Sequence, residues 1–300
     1  MNKEAGKRAF TLIELLTVLA VVSLLTAILL PALSKARRAA LSLVSAANQR
    51  QVSQAVGVYA GDNNEWFPES VATLGTSTRW SWREPMVLTG FQRRSPFHRR
   101  SVSGYMRDYI PTAKTLFCAS APRAYEFLED SWAAGDAWDN PSPETGYEDP
   151  VFGTFCLYWG YRGYLVEGQK AFVGPERSFG ARGQSSVLMS DYFGFGHWRN
   201  ELTYGTRNAF GSCEKFSGAG ITAGTAVSSE YWSRVVLEDA PERNSTGVVL
   251  HAGYTDGHVE KYTGGETRVM KIAISQDGRA PYPDSVSPGG DIYLPLADGR

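Results

Sequence analysis

From Phe10 to Leu33 the chain is apolar apart from a few hydroxyls, and its only charge, Glu14, stands near the start. As an α-helix this run spans a bilayer core of about 30 Å. A secretory signal peptide is a poor fit, because its apolar region is usually about 7–15 residues and is followed by a small-residue cleavage site. Here "SKARRAALS" follows. A plain membrane anchor accommodates the run but not the carboxylate. A charge in a spanning helix costs about 2.5–3.5 kcal/mol at mid-membrane and less near the interface, so one that persists has a partner. Flanking charge does not decide orientation, since Lys7 and Arg8 precede the run while Lys35, Arg37 and Arg38 follow it. The spacing does name a partner. A cut between Ala9 and Phe10 gives Phe10 a free ammonium one helical turn from Glu14. In a bundle of parallel, axially shifted helices, the Glu14 of one chain meets the new amino terminus of the next. Two charges that are each costly in lipid are then neutralised together.

"RAFTLIELLTVLAVVSLLTAILLPAL" resembles the leader and first helix of type IV prepilins and type II secretion pseudopilins. The resemblance implies a leader over residues 1–9, removed before Phe10 by a prepilin peptidase that also methylates the new amino terminus. It gives Glu14 the role of directing assembly and Pro31 that of bending the helix. Ala9 stands where the family usually has glycine. The implied partners are the peptidase/methyltransferase, other pilin-like subunits and the inner membrane. The implied placement is single-pass, with a cytoplasmic amino terminus and an extracytoplasmic head.

Beyond Pro31, Leu41, Val44, Asn48, Val52, Ala55 and Tyr59 recur at steps of three or four, one stripe of a continuing helix. Gly61 and Asp62 offer its stop, with Pro68 further on. A helix over residues 10–60, transmembrane over 10–33, is on the order of 75 Å long. The head then spans 61–300, where short β-favouring segments alternate with loops rich in glycine and proline. The expected fold class is α+β: a long stalk helix carrying a loop-rich, mainly antiparallel β head. The segments "TLFCAS", "CLYWGY", "SSVLMSDY" and "GYTDGHVEKY" are similar to landmarks of the prepilin-type branch with a carboxy-terminal H-x9-DG region. Asp256 and Gly257 match its DG, while Thr246 stands at the position of the branch's histidine and His251 lies nearby at another spacing. The last stretch, "RAPYPDSVSPGGDIYLPLADGR", reads as an extended tail or surface wrap.

The head shows no catalytic signature. No GxSxG elbow occurs, and the four histidines, His98, His197, His251 and His258, form no metal-ligand spacing. Neither an enzyme nor a bound cofactor or metal is expected. Asp256-Gly257 reads as a β-hairpin turn; a cation held by Asp256, His258 and Asp191 is the weaker reading. "GDNNE" at residues 61–65 reads as a helix exit ahead of a calcium loop, because EF-hand spacing is absent. Cys118, Cys156 and Cys213 match no zinc or redox pattern, leaving one disulfide plus a thiol, or three buried thiols. The eight tryptophans suit a core or a polysaccharide platform, so a pilin-anchored polysaccharide-binding head is the rival to a structural subunit. An Arg-rich stretch, Arg79 to Arg107, precedes an acidic one, Glu126 to Asp149, and the two are expected to be solvated loops or to face each other. The net charge of -1 argues against a nucleic-acid partner.

Overall fold

The computed structural model describes residues 11–74, 81–82, 85–86, 88–90, 100–119, 132, 140–141, 148–149, 153–165, 170–179, 184–196, 201–204, 214–218, 235–237, 240–244, 249–263, 267–271 and 291–295. The chain divides into two compact units, Met1–Leu43 and Val44–Arg300. One helix, α1 (Leu12–Asp62), runs through the boundary. It is long and apolar enough to cross a membrane.

In the first unit, between Leu15 and Leu33, α1 is apolar on every side. Its hydroxyls are satisfied within the helix: Thr17 Oγ1 donates to the Glu14 carbonyl (3.0 Å), Ser23 Oγ to Leu19 (2.7 Å) and Thr26 Oγ1 to Val22 (2.8 Å). Such back-bonding hides polar groups in an otherwise apolar helix. Pro31 lies inside the helix, which continues through it. A proline there has no N–H to donate, so the carbonyl one turn earlier lacks its helical partner.

In the second unit α1 lays one face on the head and ends as its glycine and asparagines predict. Glu65 N donates to the Ala60 carbonyl (2.8 Å) and Asn63 Nδ2 to Tyr59 (2.8 Å), capping the last turn. Asn64 (φ 55°) and Glu65 (φ 67°) both sit in the left-handed region. This is the helix exit read from "GDNNE". The strained turn is held by its far side: Trp66 bridges Arg177, Phe67 N donates to the Glu176 carbonyl and Ser178 N to Glu65 (both 3.0 Å).

The head is mainly antiparallel β, as expected. Three two-residue ladders pair β1 (Thr73–Leu74) with β2 (Ser81–Trp82), β3 (Thr89–Gly90) with β4 (Arg100–Ser101), and β5 (Asn140–Pro141) with β6 (Glu148–Asp149). A short helix, α2 (Val102–Met106), follows β4, capped by the Ser101 hydroxyl on Gly104 N (3.2 Å). The remaining strands are β7 (Phe155–Leu157), β8 (Arg162–Leu165), β9 (Lys170–Val173), β10 (Val187–Asp191), β11 (Phe193–Gly196), β12 (Glu201–Tyr204) and β13 (Glu214–Gly218). After them come β14 (Val235–Leu237), β15 (Ala240–Asn244), β16 (Val249–Tyr254), β17 (Val259–Thr263), β18 (Thr267–Lys271) and β19 (Asp291–Pro295). A four-stranded sheet has the order β17-β16-β10-β7, and a nine-stranded sheet the order β15-β14-β13-β12-β11-β19-β18-β8-β9.

Two expectations change. Part of the carboxy-terminal stretch is no wrap, because β19 lies between β11 and β18 inside the larger sheet. Leu294 within it is buried, which a proline- and glycine-rich reading overlooked. The Asp-Gly hairpin turn exists, between β16 and β17, but Asp256 does not take the positive φ that a tight Asp-Gly hairpin needs. Gly257 N donates to Tyr254 O (2.9 Å), Tyr254 N to His258 O (3.0 Å), and Gly257 alone of the two takes a positive φ, 83°. That is a type I turn closed by a left-handed glycine.

Aromatic residues fill the core. Tyr158, Tyr161 and Phe172 are buried, and Tyr158 meets the other two edge-on, Phe172 at 5.5 Å and 71°. Trp132 is buried with its indole N–H on the Ile110 carbonyl (2.8 Å). Gly174 is obligatory: a Cβ there would lie 1.7 Å from the Tyr158 carbonyl oxygen.

Candidate assembly site

The start of α1 holds Glu14 in a defined geometry. Thr11 N donates to Glu14 Oε2 (2.9 Å), as does Thr11 Oγ1 (2.8 Å), while Glu14 N donates back to Thr11 Oγ1 (3.3 Å). This reciprocal pair is a capping box, in which two otherwise orphan N–H groups at a helix start are satisfied. It also places a carboxylate at the positive end of the helix dipole. Thr11 was missed as a functional residue, although the Thr-x-x-Glu spacing of "TLIE" carries the signal. Around Glu14 the side chains of Leu12, Ile13, Leu15 and Leu16 are all exposed. The site is therefore an anion presented on an apolar rod, with a local partner for each oxygen-directed donor of Thr11. Ala9 and Phe10, the residues of the predicted cut, lie outside the described residues, as does the whole of 1–9. Pro31 sits a separate stretch along the same helix.

The second unit buries a different carboxylate. Asp191, at the end of β10, is 0 % exposed. Its Oδ1 accepts from Gln49 Nε2 (2.9 Å) and, at the limit of reach, Ser45 Oγ (3.5 Å). Its Oδ2 accepts from His251 N (2.8 Å) and lies 3.2 Å from His251 Nδ1. The helix and the two central strands thus converge on one group. His251, off the H-x9-DG spacing, is the histidine that meets it. The proposed gathering of Asp191 with Asp256 and His258 does not occur.

Asp256 and His258 instead pair with each other at the β16–β17 turn. His258 N donates to Asp256 Oδ1 (3.1 Å), its Nδ1 contacts the same oxygen, and its ring stacks on Tyr254 at 4.3 Å and 6°. Partial burial works to raise the Asp256 carboxyl, but the His258 backbone N–H and imidazole outweigh it and hold the group below its ordinary value. Among the described residues no three His, Cys, Asp or Glu side chains gather as a metal site.

The opposite face of the four-stranded sheet carries Cys156, Tyr158, Ser190 and Tyr262. Tyr158 OH and Ser190 Oγ share a 2.9 Å hydrogen bond. Burial pushes the Cys156 thiol and both tyrosine hydroxyls well up. Groups so disfavoured as anions offer no nucleophile near neutrality. Cys118 and Cys156 are both buried, and Cys156 is a free thiol; Cys213 lies outside the described residues. Most of the Arg-rich and acidic stretches lie there too. Arg107 pairs with its neighbour Asp108 at 3.7 Å.

Residues 5–30 match the family model described as the prokaryotic N-terminal methylation motif. No curated protein and no solved structure matches the chain.

Proposed function

We propose that a chain with this methylation motif is a structural subunit of a type II secretion pseudopilus or type IV pilus-like assembly. A prepilin peptidase removes residues 1–9 and methylates Phe10, and the subunit then joins other pilin-like chains. The observation that carries this reading is the motif over residues 5–30 at the head of an apolar helix. The Thr11–Glu14 arrangement supports it, since it keeps a carboxylate on the rod within a turn of the amino terminus that cleavage creates. In this reading the protein is anchored in the inner membrane with its head outside the cytoplasm, and it carries no catalysis of its own. Intact-mass and amino-terminal analysis of membrane-extracted protein tests it. A chain beginning at N-methyl-Phe10 is expected. A chain that retains residues 1–9 overturns it and makes the molecule a permanent anchor for a binding head.

One observation favours that rival. Trp66 is 45 % exposed, and the Arg177 guanidinium lies 3.8 Å from its ring centre. A tryptophan held flat by a stacked arginine, on a turn pinned from both sides, is a platform on which a sugar ring can stack. Loss of polysaccharide retention by the full chain on Trp66→Ala, with the fold intact, is the result that this second reading requires.

A further inference from the structure

Two rows of side chains alternate on the buried face of α1 in the second unit. The apolar row is Val52, Val56 and Ala60, and the polar row is Ser45, Gln49 and Ser53; all six are buried. Each row steps by four residues, close to one helical turn of about 5.4 Å. The apolar row nearly repeats itself. Within the row a one-turn slip exchanges valine for valine or for alanine, a change of a methyl or two, while Asn48 or Asn64 enters at its end.

The polar row does not repeat, because its middle member is long and its ends are short. Gln49 reaches Asp191 Oδ1 at 2.9 Å. Ser53 faces Gly253, where an added Cβ would come within 2.3 Å of Ser53 Oγ. A slip that carries Gln49 toward Gly253 drives a long side chain into a space already filled by serine. A slip the other way sets Ser53 opposite Asp191, and its hydroxyl is two heavy atoms too short to replace the amide. The buried carboxylate then loses its closest side-chain donor. Removing one partner of a buried charge is far costlier than the pair is worth, which makes such a group a poor source of stability but a good device for specifying one arrangement.

We infer that Asp191 is a positioning residue that, with Gly253, pins the axial register of residues 45–60 of α1 on the β10–β16 face. The pin belongs to the packing of the head alone and is independent of assembly. Tyr59, which packs edge-on against Tyr105 and Tyr109 near the helix end, is the competing candidate.

The test is a spin-label distance measurement on the full chain in detergent micelles, with labels at Gln54→Cys and Glu260→Cys, both exposed sites, and Cys213→Ser. The starting protein gives one distance. Gln49→Ser makes the polar row uniform, and a second population displaced by one turn is expected. Gln49→Ser combined with Ser53→Gln moves the long side chain by a turn, and the displaced population is expected to grow at the expense of the first. Tyr59→Ala keeps a single distance. One native distance in both Gln49 variants overturns the inference, as does displacement in Tyr59→Ala without displacement in Gln49→Ser. If Gln49→Ser fails to fold, Gln49→Asn serves in its place: a displaced population supports the pin, and its absence overturns it.

Discussion

The two halves of α1 share one backbone and present two different surfaces. Between Leu12 and Leu33 every large apolar side chain is between 52 and 76 % exposed, and no face is singled out. Between Ser45 and Ala60 one face is buried and the other bears Arg50, Gln51 and Gln54. Each half engages one carboxylate that matters, the first its own Glu14 and the second Asp191 of β10. Glu14 is satisfied by its own helix, through Thr11. Asp191 is satisfied by other elements, through Gln49 and His251. The difference shows where information resides: the first half specifies length and a single anion, while the second specifies a particular mate.

That contrast can be broken from either end. Glu14→Ala is expected to have the largest effect on assembly and almost none on the head: fibre incorporation falls to background in a shearing assay while membrane insertion and the thermal melt are unchanged. Asp191→Ala reverses the pattern. It strands the His251 N–H and the Gln49 amide in a buried site, and a loss of about 1–3 kcal/mol for each stranded donor is expected, read as the chemical-denaturation midpoint of the detergent-solubilised chain. Gly253→Ala sharpens the comparison, because the new methyl meets Ser53 Oγ and Met189. Overpacking of this kind costs about 1–3 kcal/mol, and Ser53→Ala is expected to recover most of it, since it removes the nearest atom.

The smallest effect belongs to the exposed Asp256–His258 pair. Asp256 is held below its ordinary value in the folded chain. Its contribution is therefore complete above the unfolded pKa of about 3.9 and lost as pH falls through the lower, folded one. Amide exchange at His258 is expected to quicken only in that acid range, and Asp256→Asn is expected to lower the melt slightly at neutral pH but not below the folded pKa. A rise in exchange already near neutrality would show that the carboxylate does not hold the turn.

Much of the helix was legible because its signals are local. The unbroken apolar run gave the first half, and Gly61 with Asp62 gave the end within a residue or two. Asp256-Gly257 gave a turn in the right place but of another type, since only Gly257 needs a positive φ. The buried polar row was not legible. Ser45, Gln49 and Ser53 look like solvent-facing residues, and nothing near them in sequence announces Asp191 or Gly253, which lie far along the chain. The expected stripe was right at Val52 and Ala55 but included Val44, which is exposed. Likewise β19 is a strand through its neighbours β11 and β18, a context that composition cannot show. Thr11 is the opposite case: its capping signal was present and was overshadowed by the membrane reading of the same residues.

The position of β19 also sets a timetable. Among the described residues it is the last strand in chain order, yet it is an inner one, bonded to β11 on one side and to β18 on the other. Until Asp291–Pro295 has left the ribosome, β15 to β11 and β18 to β9 are two separate ladders, each with an open edge. Open edges invite the wrong partner. A chain truncated before Asp291 keeps α1 and is expected to leave its nine-stranded sheet in two pieces.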